Sequence, residues 1–124
     1  MKLRGLLMAN AILLGASGVF AILLPASVLS LYGVTADPAI LLMAQYAGLG
    51  SLVIGLIAWF SREVKDRKAQ KAIVLAFFIT YVTGIVVSVS GTISGAMGRG
   101  WAVVAIYLVF ALAYGYMLLK KEYS

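Results

Sequence analysis

The chain has 124 residues, of which 64% are hydrophobic and only 11% are charged, and its mean hydropathy is +1.07. A soluble domain of this length needs polar residues over its outer surface, and long stretches of this sequence contain none. We therefore expect lipid to be the outer solvent of the folded chain. The sequence has no cysteine and no histidine, which excludes disulfides, thiolate chemistry and imidazole ligation of metals.

The first long apolar run follows the basic residues Lys2 and Arg4. A helix that crosses a membrane needs about 20 residues, and we predict the first span over residues 5–24. Pro25 has no backbone N–H to donate, so it predicts a break in this helix, followed by a short interfacial segment over 26–32. A secretory signal cleaved near Pro25 is the alternative, but the apolar run is longer than the core of such a signal.

A helix-start signal and a cluster of charges indicate where the second and third spans begin. Asp37 and Pro38 predict a helix start, because aspartate caps an N-terminus and proline at the first position loses no hydrogen bond. The second span is predicted over 38–60. Residues 61–71 contain five basic and two acidic side chains and are predicted to form a charged loop outside the bilayer. The third span is predicted over 72–90, a glycine-rich loop over 91–100, and the fourth span over 101–119.

The basic residues are distributed unevenly over this arrangement, with nine of the ten on one side and only Arg99 on the other. The positive-inside rule then places both termini and the charged loop in the cytoplasm. The predicted fold is all-α: a single domain over 1–124 that forms an antiparallel four-helix bundle in the cell membrane. The nine residues on one side are Lys2, Arg4, Arg62, Lys65, Arg67, Lys68, Lys71, Lys120 and Lys121.

Small residues recur at four-residue spacing in the second and third spans, so each set lines one helix face. In lipid, such faces allow helix backbones to approach closely. We predict that they pack inside one bundle, and a self-association surface between copies is the alternative. These predicted packing residues are Ala47, Ser51, Gly55, Thr80, Gly84 and Ser88.

Polar side chains within the spans predict two polar layers, one in each half of the membrane. Gln45 is the most informative of them, because a carboxamide in hydrocarbon is costly unless it is hydrogen-bonded. One hypothesis is a small pocket for a lipid-like ligand whose polar end is formed by Ser17, Gln45, Tyr46, Thr83 and Tyr107. The alternative, which we favour, is hydrogen bonding between helices that fixes their packing. The inner layer consists of Asn10, Thr80, Tyr81 and Tyr114.

The charged loop suggests contact with anionic lipid headgroups, through Arg62, Lys65, Arg67, Lys68 and Lys71. Control of membrane topology is the simpler explanation of the same charges. Because basic residues lie only at the ends of the apolar segments, we do not expect nucleic acid as a partner.

No predicted span contains Asp, Glu, Lys or Arg, which argues against a proton- or ion-coupled pump. Acid–base catalysis would fall to tyrosines or to Asp37, so we do not expect an enzyme, and we expect no cofactor or metal. The leading hypothesis is an accessory or assembly subunit of a larger membrane complex, or a self-associating bundle, with lipids, other membrane subunits or further copies as partners. The alternative is a small transporter, channel or lipid-binding carrier with a polar pocket near Gln45.

Several short segments carry a family resemblance, and they extend over most of the chain. They are Leu23-Leu24-Pro25, Leu31-Tyr32-Gly33-Val34, Asp37-Pro38, the span from Gly48 to Gly55 that ends in Ala58-Trp59-Phe60, and Tyr114-Gly115-Tyr116. Their order resembles a group of small uncharacterised prokaryotic four-span membrane proteins, loosely similar to the DoxX-like superfamily. The resemblance implies a compact four-helix bundle and carries over no catalytic residue.

Overall fold

The computed structural model of the protein describes residues 2–95, 100–121 and 123. Within these ranges the chain forms helices and no strand, which confirms the all-α prediction. The helices are α1 (Leu3–Leu23), α2 (Pro25–Leu31), α3 (Pro38–Ser61), α4 (Arg67–Ile93) and α5 (Trp101–Lys120). Four of them, α1, α3, α4 and α5, are long and apolar enough to cross a membrane.

The break after α1 lies at the predicted proline. Leu24 has non-helical dihedral angles (φ −132°, ψ 58°), and its N–H donates to the carbonyl of Phe20 at 2.7 Å. Pro25 is then the first residue of α2, a position at which its missing N–H costs no hydrogen bond. The chain therefore ends one helix and begins the next with a single residue between them.

Aspartate side chains cap the N-terminal ends of α3 and α4. The Asp37 carboxylate accepts from the N–H of Ile40 at 2.9 Å, as the sequence predicted for the start of α3. The Asp66 carboxylate accepts from the N–H of Ala69 at 3.2 Å. Because of this second cap, α4 begins at Arg67, within the stretch predicted as loop over 61–71, and the connection from α3 is only residues 62–66. At its other end α4 continues past residue 90 to Ile93.

Glycines bring α1 and α3 into direct backbone contact. A Cβ atom placed on Gly18 would lie 2.5 Å from the carbonyl oxygen of Gly48, and one placed on Gly55 would lie 2.6 Å from the nitrogen of Gly15. Neither position has room for a methyl group. This close approach explains why α1 and α3 form the most extensive helix contact in the protein.

Aromatic rings fill the contact between α4 and α5. A Cβ on Gly84 would lie 2.8 Å from the Tyr107 ring, and one on Gly115 would lie 3.0 Å from the Phe78 ring. The Tyr81 and Phe110 rings are also stacked, with their centroids 5.0 Å apart. Glycine on one helix therefore makes space for an aromatic ring on the other.

The charged residues of the start of α1, of the turn between α3 and α4 and of the end of α5 lie at one end of the bundle, called here the basic end. Arg4 forms an ion pair with Glu63 at 3.1 Å, and the Arg67 guanidinium donates to the carbonyl of Lys121 at 2.6 Å. The N–H of Leu3 donates to the carbonyl of Tyr123 at 3.1 Å. The start of α1, the turn between α3 and α4, and the end of α5 therefore lie together, and α2 lies at the opposite end.

Candidate functional site

A cavity of about 600 Å³ lies at the opposite end of the bundle. Residues of α1 and α3 line one side of it, Ser88 of α4 and Tyr107 of α5 line the other, and α2 contributes further residues. The cavity exists because α3 packs against α1 and α2, whereas it has no extensive contact with α4 or α5 in the described part of the chain. The α1–α3 pair and the α4–α5 pair therefore diverge toward this end.

The lining of the cavity is uncharged and largely apolar, with hydroxyl groups as its polar component. Among the described residues, no hydrogen bond is formed by the hydroxyls of Ser17, Ser51 or Tyr107. An unpaired hydroxyl in apolar surroundings is costly, so these groups are available to a polar group of a bound molecule. The hydroxyl-bearing lining residues are Ser17, Ser27, Tyr32, Ser51, Ser88 and Tyr107.

The five residues suggested by the sequence as a polar pocket lie in different environments. Ser17 and Tyr107 line the cavity together. Gln45 does not; its side-chain amide donates to the carbonyl of Ile22 at 3.0 Å and so joins α3 to α1. Tyr46 is 64% exposed and Thr83 is exposed, and neither residue lines the cavity.

The predicted packing residues also lie in three different environments. Gly55 and Gly84 lie in the helix contacts described above, whereas Ala47, Ser51 and Ser88 line the cavity. Thr80 is exposed, and its hydroxyl donates to the carbonyl of Ala76 in its own helix at 2.8 Å. A serine on a small-residue face has the same sequence signature whether a helix or a cavity lies beside it, so sequence reasoning missed Ser51 and Ser88 as cavity residues.

A buried polar cluster lies between the cavity and the basic end. The side-chain amide of Asn10 donates to the Tyr114 hydroxyl at 2.9 Å, and the Tyr81 hydroxyl donates to the Asn10 carbonyl oxygen. All three side chains are almost completely buried. Asn10 precedes Ser17 by about two helical turns, so this cluster lies nearer the basic end than the cavity, and none of its three residues lines the cavity. Three of the four residues predicted as an inner polar layer lie together, and Thr80 lies apart.

The geometry of the bundle is the main guide to its function. No protein-family model matches the chain, and no curated protein or solved structure is significantly similar to it.

The five residues suggested for anionic-lipid contact all lie at the basic end. The Arg62 guanidinium lies 3.8 Å from the centroid of the Trp59 ring and donates to the Trp59 carbonyl at 2.7 Å. Arg67 is held by the carbonyl of Lys121. The remaining three are exposed lysines without an ion-pair partner among the described residues: Lys65, Lys68 and Lys71.

Proposed function

We propose that the protein is a non-enzymatic, multi-pass protein of the cell membrane that binds a lipid-like molecule in the cavity between its two helix pairs. In this proposal α1, α3, α4 and α5 cross the bilayer as an antiparallel bundle. Their length and apolar character support the insertion. The clustering of basic side chains at one end supports a cytoplasmic location for both termini. The resemblance to DoxX-like four-span proteins is part of the same proposal.

The observation that carries the proposal is the chemistry of the cavity. It has a volume of about 600 Å³, an uncharged lining, and hydroxyls such as those of Ser17 and Tyr107 that have no partner in the described protein. Ligand sites are typically concave, mostly apolar and furnished with a few polar groups that fix orientation. The matching ligand is an amphiphile whose chain packs against Phe20 and Val28 and whose polar group meets the hydroxyls.

The buried layer of side chains between the cavity and the basic end favours a binding protein or carrier over a channel. Asn10, Tyr81 and Tyr114 are buried, and Asn10 is hydrogen-bonded to both tyrosines. Leu7 and Val74 are fully buried nearer the basic end. In the proposed orientation, a ligand enters and leaves from the outer half of the bilayer. A path for an ion or solute through the bundle would require these buried side chains to move apart.

The role of accessory or self-associating subunit is a second candidate, and the outer face of α3 favours it. Only 11% of the apolar window of α3 is buried, and a Cβ atom on Gly50 would meet nothing within 4 Å. A helix of another subunit, or of a second copy, would therefore have access to a small-residue position on this face.

Native mass spectrometry of the protein released from its membrane tests both candidates. We expect the wild-type protein to carry one tightly held lipid-like molecule. Ala47→Phe should lose it, because Ala47 lines the cavity and the added ring would occupy the space. Ala105→Phe is the matched control, since Ala105 is exposed on α5 outside the cavity lining.

The possible outcomes separate the two candidates. Retention of the molecule by both variants, or its absence from the wild-type protein, would contradict the lipid-binding proposal. A defined oligomer or a co-purifying membrane protein would support the second candidate.

A further inference from the structure

A second, smaller cavity of about 190 Å³ lies at the basic end of the bundle. It is formed where the start of α1, the turn between α3 and α4, and the residue Tyr123 meet. Its charged lining residues are Lys2, Arg4, Arg62, Lys65 and Glu63. Four basic side chains thus surround the space together with one carboxylate, which favours an anionic occupant.

Tyr123 supplies an independent sign that the cavity is incomplete without a ligand. The residue is only 5% exposed, and its hydroxyl is a buried polar atom with no hydrogen-bond partner in the described part of the chain. Its backbone is fixed, because its carbonyl accepts from the N–H of Leu3 at 3.1 Å. The hydroxyl is enclosed by protein atoms, but Tyr123 lines the cavity, and a small shift of its side chain toward an acceptor there would remove a penalty that the described residues do not remove.

The positive charges of the cavity are only partly neutralised by the protein. Glu63 lies 3.1 Å from Arg4 and 3.6 Å from Arg62, whereas Lys2 and Lys65 have no carboxylate partner among the described residues. Lys2 is also the N-cap of α1, and no side chain caps that helix end. The N–H of Leu3 is bonded to Tyr123, but the positive end of the α1 dipole still adds to the attraction for an anion.

We propose that this cavity binds a phosphate monoester or inorganic phosphate. Such a group carries a charge of about −1.5 to −2 and presents three acceptor oxygens. Lysine ammonium groups would neutralise the charge, and the Tyr123 hydroxyl would donate one hydrogen bond to an oxygen. The same chemistry is offered by a free phosphate ion and by the headgroup of phosphatidic acid. This inference is independent of the larger cavity, although a lipid source for the phosphate requires that the basic end lie at the membrane surface.

The test measures binding of phosphatidic acid and of inorganic phosphate to the full chain in phosphatidylcholine nanodiscs. Lys2→Gln with Lys65→Gln removes two charges from the cavity. Lys68→Gln with Lys71→Gln removes the same charge from exposed positions outside it. We expect the first pair to weaken binding by about tenfold or more, as for loss of charge-assisted hydrogen bonds, and the second pair to change it little. Equal losses for the two pairs would overturn the site in favour of general surface attraction.

Tyr123→Phe tests the hydroxyl separately. We expect it to weaken phosphate binding by about tenfold without lowering the thermal stability of the ligand-free protein, because the hydroxyl has no protein partner to lose. Unchanged affinity in this variant would overturn the proposal, as would failure of the wild-type protein to bind either phosphate source.

Competition between ligands identifies the source of the bound phosphate group. Displacement of phosphatidic acid by inorganic phosphate would assign the site to the phosphate group alone, and binding of phosphatidic acid without such competition would assign it to the lipid. Phosphatidylglycerol carries a phosphate diester with a single charge. Binding of phosphatidylglycerol as tight as that of phosphatidic acid would overturn selection for the monoester.

Discussion

Asn10 near the start of α1 and Tyr114 near the end of α5 are joined by a buried hydrogen bond of 2.9 Å. The same Asn10 side chain accepts a hydrogen bond from the hydroxyl of Tyr81 on α4. One carboxamide therefore connects three helices at a single level of the bundle. Contacts between the α1–α3 pair and the α4–α5 pair are otherwise made mainly by large apolar side chains. In the described part of the chain this cluster links the two pairs through side-chain hydrogen bonds, and the backbone hydrogen bond from Leu3 to Tyr123 adds a second link at the basic end.

Replacing Asn10 with leucine should destabilise the protein by about 1–2 kcal/mol, since hydrogen bonds between helices in a membrane contribute up to that order and both tyrosine hydroxyls would lose their partner. Reversible unfolding in mixed micelles measures the change. Thr80→Val is the control, because that hydroxyl is exposed and bonded only within α4. Adding Tyr81→Phe and Tyr114→Phe to Asn10→Leu should recover part of the loss, since no buried hydroxyl then remains unpaired. An Asn10→Leu variant as stable as the wild type would argue against the cluster as a stabilising link.

Helix positions were predictable where the deciding signal is local. Pro25 ends a helix through its own missing N–H, and Asp37 with Pro38 starts one within a single turn. The predicted third span begins at residue 72, whereas the helix α4 already begins at Arg67. The hydropathy pattern distinguishes apolar residues from charged ones, but it does not distinguish a charged loop from a charged first turn of a helix. Asp66 caps α4 within the charged stretch, and only the backbone geometry reveals it.

The candidate site was less predictable, because its residues are chemically equivalent to packing residues. Gln45 needs a hydrogen-bond partner in an apolar environment, and the carbonyl of Ile22 satisfies that need as well as a ligand would. Ser51 and Ser88 belong to small-residue faces, and they become cavity residues only because the helix pairs diverge. The contact of Tyr123 with Leu3 joins the two ends of the sequence, which no local pattern indicates.

Gly55→Ala should destabilise the protein by about 1–3 kcal/mol, the usual cost of overpacking. The added methyl group would lie 2.6 Å from the backbone nitrogen of Gly15, and backbone atoms cannot rotate away. Gly50→Ala on the same helix is the matched control, because nothing lies within 4 Å of its Cβ position. That substitution should be neutral or stabilise by up to about 1 kcal/mol. Equal effects of the two substitutions on the free energy of unfolding would contradict the close packing of α1 against α3.

Gly84→Ala should destabilise the protein less than Gly55→Ala does, but it should reduce ligand binding in the cavity. Its new methyl group would lie 2.8 Å from the ring of Tyr107, a side chain that can turn aside. Because Tyr107 lines the cavity, we expect its displacement to reduce the bound lipid seen by native mass spectrometry. Gly115→Ala is the control. Its new methyl group would lie 3.0 Å from the ring of Phe78, and Phe78 does not line the cavity. Equal occupancy of the cavity in the two variants would argue against a role for Tyr107 in ligand binding.

The natural absence of cysteine makes the proposed orientation directly testable by single-cysteine labelling. Lys68 is exposed near the start of α4 at the basic end, and Ser94 is exposed just after the other end of the same helix. If the basic end faces the cytoplasm, a membrane-impermeant maleimide should label Ser94→Cys in intact spheroplasts and should label Lys68→Cys only after lysis. The opposite pattern would reverse the topology and move the larger cavity to the inner half of the bilayer. Labelling of both cysteines in intact spheroplasts would contradict a single membrane-spanning orientation, because α4 is the only helix between the two positions and its apolar core has to separate them across the bilayer.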